Sequence, residues 1–259
     1  MCGAEEYGMK PESMGCRSEE KRGSGRWFRH VGVSMMAVLA FTAVAQAQSA
    51  DGNLQKVLAR LDETAAKFHT AKADVVWENV QTQPIFDKDT QTGSLDVERH
   101  KGKVSLALHL KTLDGKPVPK EMVYDGGEFK LYEPLLKQMT IFHTAGKEAQ
   151  IESFLALGFG GSSAEMQQDW TVSYAGAETI GGVATEKLQL LPRTEATKQN
   201  VSKVVLWIDM QNGIAIRQQS FDPSGNYRLV NYTQLHLNSG LPANAFAIRM
   251  ASGTRVMQR

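Results

Sequence analysis

Cysteine and an excess of charge of one sign are what this sequence has least of. Its 259 residues include only two cysteines, Cys2 and Cys16, and 29 basic residues against 28 acidic ones. The chain beyond residue 16 can therefore form no disulfide and no thiolate metal site. The near-zero net charge argues against nucleic acid as the partner, because nucleic-acid-binding domains carry a basic surplus or stripe. With 42% apolar residues, the chain is a globular protein that relies on its own core.

The first 47 residues have the layout of a secretory signal peptide. Basic residues within 26–30 precede an apolar run over 31–44, which ends in Ala45-Gln46-Ala47. A basic segment, an apolar segment and an A-x-A site are typical of a leader that is removed on export. A transmembrane anchor is the alternative, but a span needs about 20 apolar residues and this run is shorter. We predict cleavage after Ala47, a periplasmic location, and a single domain over 48–259 with a short C-terminal tail.

Hydrophobic periodicity predicts one helix followed by many strands. Apolar residues from Leu54 to Phe68 recur every three or four positions, which is typical of an amphipathic helix. Beyond them the period becomes two, as in residues 94–99 and 103–111, and turn signals such as Asp-Gly and Asn-Gly separate the runs. The lack of crossover helices between these runs excludes a parallel α/β sheet. The sequence predicts an α+β fold, mainly antiparallel β, with about eleven strands in one strongly curved sheet.

One segment interrupts the strands and is predicted to be a helical lid. Residues 147–157 carry Ile151, Phe154 and Leu155 on one helical face. A helix with an apolar face, set between two runs of strands, is placed to cover one face of the sheet. Glycines follow it, and they allow the backbone to bend at little steric cost. The predicted lid hinge consists of Gly158, Gly160 and Gly161.

Several short motifs occur in order along residues 54–250. They are Gly93-Ser94-Leu95-Asp96-Val97-Glu98-Arg99, the run from Tyr124 to Pro134, Trp207-Ile208-Asp209, Tyr227-Arg228-Leu229 and Leu241-Pro242. In this order they resemble the LolA-type periplasmic lipoprotein carriers, within the wider group of outer-membrane lipoprotein-sorting proteins. The resemblance implies a half-open, incomplete antiparallel barrel with an N-terminal helix and a short helical lid on its apolar concave face.

The resemblance also implies a function and its partners. A carrier of this type shields the acyl chains of lipoproteins in an apolar cavity and transfers them from the inner to the outer membrane. Its partners are acylated lipoproteins or other lipids, an inner-membrane release complex and an outer-membrane acceptor, and a monomer is expected. The alternative is a lipid- or lipoprotein-binding sensor or regulatory module of the cell envelope with the same fold.

Arg99 matches one position of the family's Lys-Arg-Pro motif, which here reads Glu98-Arg99-His100. In the family this arginine bonds to the lid and holds it shut when empty, so the resemblance implies that Arg99 is a lid latch. Alternation places Arg99 on the same apolar face as Leu95 and Val97, where an unpaired charge is costly. The alternative is that Arg99 lies at the strand end and reaches solvent.

A cavity for acyl chains needs only apolar side chains on a concave sheet and on its lid. Burial of an acyl chain contributes about 0.8 kcal/mol per methylene, so no sequence-specific contact is required. For any single strand residue the alternative is ordinary core packing. The predicted lining residues are Leu95, Val97, Leu106, Leu108, Phe129, Leu131, Met139, Ile141, Ile151, Phe154 and Leu155.

Motifs of catalysis are missing from the sequence. It has no G-x-S-x-G elbow, no H-E-x-x-H pair and no G-x-x-x-x-G-K-S/T phosphate loop, and the histidines beyond residue 47 lack ligand spacing. We therefore predict a protein that is not an enzyme and that uses no cofactor and no metal ion.

Overall fold

Residues 51–144 and 146–259 are described by the computed structural model. The leader predicted for residues 1–47 and its cleavage site lie outside these residues. Residues 51–65 form the first helix, α1, and strands follow it as the periodicity predicts. Phe68 lies beyond the end of the helix, and its side chain packs into the core beneath the sheet instead of extending the helical stripe.

Twelve strands form one sheet. Their bounds are β1 Thr70–Gln81, β2 Asp87–His100, β3 Lys103–Leu113, β4 Lys116–Asp125, β5 Glu128–Glu133, β6 Gln138–His143, β7 Trp170–Ile180, β8 Val183–Pro192, β9 Lys203–Asp209, β10 Ile214–Phe221, β11 Tyr227–Leu237 and β12 Arg255–Gln258. The remaining elements are a 3₁₀ turn at Pro134–Leu136 and the helices α2 Glu148–Leu155, α3 Ser163–Asp169 and α4 Glu195–Lys198. No helix within the described residues is long and apolar enough to cross a membrane.

The sheet is an antiparallel meander whose two halves meet at β1. The strand order is β12-β6-β5-β4-β3-β2-β1-β11-β10-β9-β8-β7. Among the described pairs, only β12 and β6 run parallel. The two edge strands, β12 and β7, do not pair with each other, so the sheet curves without closing. The predicted α+β fold with an incomplete antiparallel barrel and an N-terminal helix is confirmed.

β12 is the strand that the sequence did not predict. Arg255–Gln258 falls in the segment predicted to be a tail, yet it extends the sheet beside β6. The pairing continues at Arg259, whose N–H donates a hydrogen bond to the Ile141 carbonyl at 2.9 Å. A strand of four residues that is reached by a long connection has no hairpin signal, so periodicity alone does not reveal it.

The inner face of the sheet is the face that packs against the helices. Residues that oppose each other in paired strands share a face, and here Leu95 opposes Leu108 while Val97 opposes Leu106. These four residues alternate with residues of the outer face, which confirms the predicted period of two for β2 and β3.

Two clusters of buried side chains fill much of the inner face. The first joins α1 to β8, β9 and β10 and consists of Val57, Leu58, Leu61, Leu157, Met166, Trp170, Leu188, Leu190, Val204, Leu206, Ile208 and Ala215. The second joins β1, β2 and β3 to the segment after α2 and consists of Phe68, Ala71, Val75, Leu95, Val97, Val104, Leu108, Leu110, Ala156, Phe159 and Ile214. Burial of this apolar area, at about 25 cal/mol per Å², is the main contribution to stability.

Met139 and Ile141 do not lie on the inner face, so their prediction as lining residues beside Leu131 is wrong on position. In the register of β5 and β6, Met139 opposes Tyr132 and not Leu131, which places Met139 and Ile141 on the outer face. The chain after β11 contacts this face, because the Ala251 N–H donates a hydrogen bond to the Tyr132 hydroxyl at 2.9 Å. Apolar residues point to both faces of β6, so alternation alone could not assign the face.

Two glycines after α2 are required by close packing. Gly158 and Gly160 have φ angles of +79° and +73°, a left-handed conformation that favours glycine. A Cβ on Gly160 would lie 2.4 Å from Cγ of Phe68, and one on Gly158 would lie 2.4 Å from Cβ of Ala215. Backbone conformation and contact therefore explain both residues without any motion, and the hinge at Gly158, Gly160 and Gly161 stays a prediction.

We expect Gly160→Ala to lower the free energy of unfolding by about 3 kcal/mol, because backbone strain and overlap with the Phe68 ring add. Urea unfolding followed by circular dichroism measures the change. Gly240→Ala is the matched control, since Gly240 is exposed and has open space around its Cα, so its effect stays within about 0.5 kcal/mol. Equal stabilities of the two variants would contradict the packing assigned to Gly160.

Candidate functional site

α2 covers part of the inner face without burying any of its own residues. Ile151, Phe154 and Leu155, the apolar residues predicted for the lid, are all half-buried. The Phe154 ring packs against the Trp170 ring, with the ring centroids 6.3 Å apart. Lys147 at the N-cap gives the helix no side-chain hydrogen bond. A helix with few buried contacts is among the parts of a fold that open at low cost.

Polar contacts attach α2 at its first residue and on two opposite sides. Glu148 Oε1 accepts from the Thr144 hydroxyl and from the Gly146 N–H, both at 3.1 Å. The Tyr124 hydroxyl donates to Glu152 Oε1 at 3.2 Å, and Gln150 Nε2 donates to Thr197 Oγ1 in α4 at 2.5 Å. Burial and the neighbouring Glu152 carboxylate raise the pKa of Tyr124 to about 12. The Tyr124 hydroxyl therefore remains a hydrogen-bond donor at neutral pH.

A cavity of about 940 Å³, here called cavity A, lies between α2 and the ends of β1, β10 and β11. Its apolar lining includes Ile151, Phe154, Trp170 and Val201, and the strand ends at Val80 and Phe221, whose side chains belong to the outer face by register, close its rim. Its polar lining includes Asn79, Asp87, Asp89, Asn226 and Arg228. The size falls in the range of ligand pockets. Apolar and polar groups in one cavity suit a molecule that has both an apolar chain and a polar head.

A second cavity of about 540 Å³, cavity B, lies on the other side of α2. Ala149, Glu152 and Ser153 of α2 line it together with Arg99 and Glu165. The Ser153 hydroxyl is buried and has no hydrogen-bond partner in the described residues. α2 is thus a wall that both cavities share.

Arg99 joins the end of β2 to the segment between α2 and α3. Its Nη1 donates to the Gly160 carbonyl and its Nη2 donates to Glu165 Oε1. The side chain is only 15% exposed. Arg99 lies on the inner face with Leu95 and Val97, as alternation predicted, and it does not simply reach solvent. The contact partners are the kind that the latch hypothesis requires, whereas the latch function itself stays a prediction.

Glu165 is fixed in position by hydrogen bonds other than the one from Arg99. It is the third residue of α3 and forms a capping box with Ser162: the Ser162 Oγ accepts from the Glu165 N–H at 3.2 Å, and Glu165 Oε2 accepts from the Ser162 N–H at 2.9 Å. Burial opposes the charge on this carboxyl, but the hydrogen bonds from Ser162 and Arg99 outweigh it and hold the pKa of Glu165 below its ordinary value. The carboxylate is therefore fixed and ionised at neutral pH.

α3 is also tied to α1. Asp62 of α1 accepts hydrogen bonds from the Ser163 N–H and the Ser163 hydroxyl, both at 2.6 Å. Arg99 therefore bonds to a part of the molecule that is fixed from two directions.

Nine of the eleven predicted lining residues fall into three groups, and the other two, Met139 and Ile141, lie on the outer face. Leu95, Val97 and Leu108 are buried in the second core cluster and reach neither cavity. Ile151 and Phe154 line cavity A. Four residues are half-buried outside cavity A, of which Leu106 and Leu155 pack against the second cluster: Leu106, Phe129, Leu131 and Leu155. Of the predicted set, only the two α2 residues Ile151 and Phe154 line cavity A.

Sequence reasoning missed the strand residues that complete cavity A. Trp170 begins β7, and Phe221 opposes Tyr227 across the β10–β11 turn with ring centroids 5.5 Å apart. The signal was present, because Asp222-Pro223-Ser224-Gly225 marks that turn and so predicts two aromatic residues side by side. What the sequence does not show is that this turn lies near α2.

The described residues, 51–144 and 146–259, hold no group of three or more His, Asp or Glu side chains that could bind a metal ion. The arrangement of charged groups around α2 serves hydrogen bonding, with Arg99, Glu165 and Tyr124 each engaged by a partner.

A family model described as the MucB/RseB N-terminal domain matches residues 79–250. This chain belongs to that family. The matched range runs from the end of β1 past β11, so it contains α2, Arg99, Glu165 and both cavities almost entirely. A comparison with curated protein sequences gives no match.

The solved structures to which this MucB/RseB member is similar share little of its sequence. An uncharacterised conserved protein from Thermus thermophilus is 12% identical over 80% of this chain and 99% of that chain, with a TM-score of 0.50. MucB, also solved in complex with MucA, is 14% identical over 80% of this chain and 66% of that chain, with a TM-score of 0.46. A putative outer membrane lipoprotein-sorting protein domain from Vibrio parahaemolyticus is 14% identical over 73% and 95%, with a TM-score of 0.41.

This chain spans slightly less than two thirds of the length of MucB. The family to which this chain is shown to belong is MucB/RseB, whereas the sequence motifs resembled the LolA-type carriers. LolA-type transfer stays a prediction.

We expect Glu165→Gln to destabilise the MucB/RseB-family fold at neutral pH and to have less effect in acid. A carboxyl whose pKa is lowered on folding adds stability above its unfolded value, near 4.5, and loses it as the pH falls through the lowered value. Urea unfolding of wild type and variant across this pH range measures the difference. Glu195→Gln is the control, because Glu195 pairs with Lys198 on an exposed short helix and changes stability little. A stability difference between the wild type and Glu165→Gln that is constant with pH would contradict the ion pair.

Proposed function

We propose that this domain binds the acyl chain of a lipid or lipoprotein in cavity A, outside the cytoplasm, and that it performs no catalysis. The observation that carries this proposal is the state of α2. Its residues Ile151 and Phe154 face a cavity of about 940 Å³ and remain half-buried, so they have apolar surface still to cover. An acyl chain that covers this surface gains about 0.8 kcal/mol for each methylene it buries.

Arg99 gives the proposed site a closed empty state. The bonds from Arg99 to Gly160 and Glu165 fix the segment directly after α2, while α2 itself has few contacts. A ligand that displaces this segment must break those bonds, so part of its binding energy is offset. Such an offset keeps the affinity for a long acyl chain low enough for release.

The proposed ligand site serves either a sensor or a carrier, and family membership favours the sensor. MucB, one of the two proteins that give the family its name, has been solved in complex with MucA, so a protein of that name forms a protein complex. We therefore propose that acyl-chain binding here regulates contact with a protein partner of the cell envelope. A LolA-type carrier that takes lipoproteins from an inner-membrane release complex to an outer-membrane acceptor is the second candidate, supported by the motif resemblance.

We expect the protein to bind a fluorescent fatty acid and a triacylated lipopeptide, and Phe154→Glu to weaken both by roughly tenfold or more, because it places a charge against the chain. Fluorescence titration measures the binding. Ala149→Glu is the matched control, since Ala149 is an exposed residue of the same helix that lines cavity B only. Unfolding curves check that both variants fold. Binding by Phe154→Glu at wild-type strength would overturn the assignment of cavity A.

We expect Arg99→Leu to bind the same fatty acid several-fold more tightly and to release it more slowly, because the closed empty state loses its bonds while the cavity keeps its lining. Stopped-flow displacement by unlabelled fatty acid measures the release rate. Arg99→Lys retains one charged donor, so its release rate falls between those of Arg99→Leu and the wild type. Unchanged release rates in both variants would remove Arg99 from the proposed mechanism while leaving cavity A in place.

A further inference from the structure

Four large apolar side chains are exposed as two adjacent pairs at the tips of turns. Ile85 and Phe86 at the β1–β2 turn are 75% and 69% exposed, and Leu135 and Leu136 at the β5–β6 turn are each 66% exposed. Single apolar residues on a surface are normal, but adjacent pairs at projecting turns mark an interaction site.

Both turns lie at the same end of the strands. The row of turns at that end is here called an edge of the sheet, as distinct from the edge strands β12 and β7. In an antiparallel meander every second connection falls on one edge, so the β1–β2, β3–β4 and β5–β6 turns share an edge with the β10–β11 turn. The two apolar tips are four strand positions apart, roughly 20 Å along the curved sheet. They therefore form two separate contacts that one extended surface can meet.

Cavity A is next to the first tip. Gln81 and Asp87, the residues that flank the β1–β2 turn, line that cavity, as does Asn226 of the β10–β11 turn. The turn is also ordered: Gln81 Nε2 donates to the Ile85 carbonyl at 3.1 Å, and the Thr82 N–H donates to Asn226 Oδ1 at 2.8 Å. Ile85 and Phe86 are thus presented from a fixed loop beside the cavity.

The charges at the second tip are basic. Lys137 follows Leu136 directly, and Arg255 of β12 binds beside it, with its N–H donating to the Lys137 carbonyl at 2.9 Å. The nearest acidic residue in the chain, Glu133, is paired with Lys120 at 3.6 Å. At this second tip apolar side chains are flanked by basic ones, which is the chemistry of a contact with anionic phospholipid headgroups and the acyl boundary beneath them, whereas Asp87 and Lys88 balance each other after the first tip.

We propose that this edge docks on an anionic phospholipid bilayer, with Ile85 and Phe86 and then Leu135 and Leu136 entering the interface and Lys137 and Arg255 meeting the headgroups. Docked in this way, cavity A lies near the membrane surface. The interaction goes beyond the proposed function, because it concerns the surface on which the domain lies and not what the cavity holds.

Vesicle co-sedimentation tests the proposal. We expect the wild type to bind vesicles of phosphatidylglycerol and phosphatidylcholine in equal parts, and to bind vesicles of phosphatidylcholine alone more weakly. The double variants Ile85→Ser with Phe86→Ser, and Leu135→Ser with Leu136→Ser, each lower the partition coefficient by roughly tenfold. Lys137→Gln with Arg255→Gln removes much of the preference for the anionic vesicles. Val183→Ser is the matched control, since Val183 is an exposed apolar residue at the opposite edge, in the β7–β8 turn.

Insertion of the tip is measured separately. Because the chain beyond residue 16 has no cysteine, Phe86→Cys gives the predicted mature protein one position for an environment-sensitive dye. We expect the dye at residue 86 to shift to the blue and to be quenched by spin-labelled lipid, and a dye at Val183→Cys to do neither. The proposal would be overturned if the wild type bound neither kind of vesicle, or if the dye at residue 86 remained exposed to water on vesicle-bound protein. Either result would point to a protein partner for these tips. Vesicle binding needs no ligand in cavity A, so its failure leaves the proposed function standing, and the failure of fatty-acid binding leaves the docking edge standing.

Discussion

A guanidinium on an apolar sheet face must find hydrogen-bond acceptors, and this requirement organises the helical side of the molecule. Arg99 lies one residue before the end of β2, and its neighbours on the same face, Leu95 and Val97, are buried. Its acceptors, the Gly160 carbonyl and the Glu165 carboxylate, belong to the turn before α3 and to α3 itself. One side chain therefore fixes the path of the chain between the two helices. The position of α2, and with it the existence of two cavities, follows from that path.

The tightness of this anchor contrasts with the looseness of α2. Gly158 and Gly160 bring the backbone into contact with Ala215 and Phe68, at a distance that no Cβ would permit. α2, only a few residues earlier, buries none of its side chains and is attached by Glu148 at its start and by Glu152 and Gln150 on its two sides. A fixed end next to a weakly held helix is a physical basis for a cover that changes its position while the fold is retained.

The parts of this structure that the sequence predicts are those set by local periodicity. Alternation in β2 and β3 assigns Leu95, Val97 and Arg99 to one face, because the period of a strand is two regardless of what lies beyond it. The fold class follows from the turn signals and from the missing crossover helices.

The parts that escaped prediction depend on contacts between distant segments. Met139 is buried on the outer face of the sheet, where the chain after β11 returns. Nothing near residue 139 in the sequence shows this contact. The glycines after α2 indicated a hinge, whereas Phe68 and Ala215, far away in sequence, explain two of them by packing. Cavity A likewise needs Trp170 and the end of β10 near α2, an arrangement that topology creates and composition does not.

One consequence of the wall formed by α2 concerns communication within the domain. Because the same helix bounds both cavities, a molecule that wedges it away from Trp170 pushes it toward Arg99 and Glu165. A ligand bound in one cavity would then change the binding free energy of a ligand in the other cavity. Thermodynamic linkage makes this change equal in both directions. Eight residues of helix thus give the two cavities one shared wall.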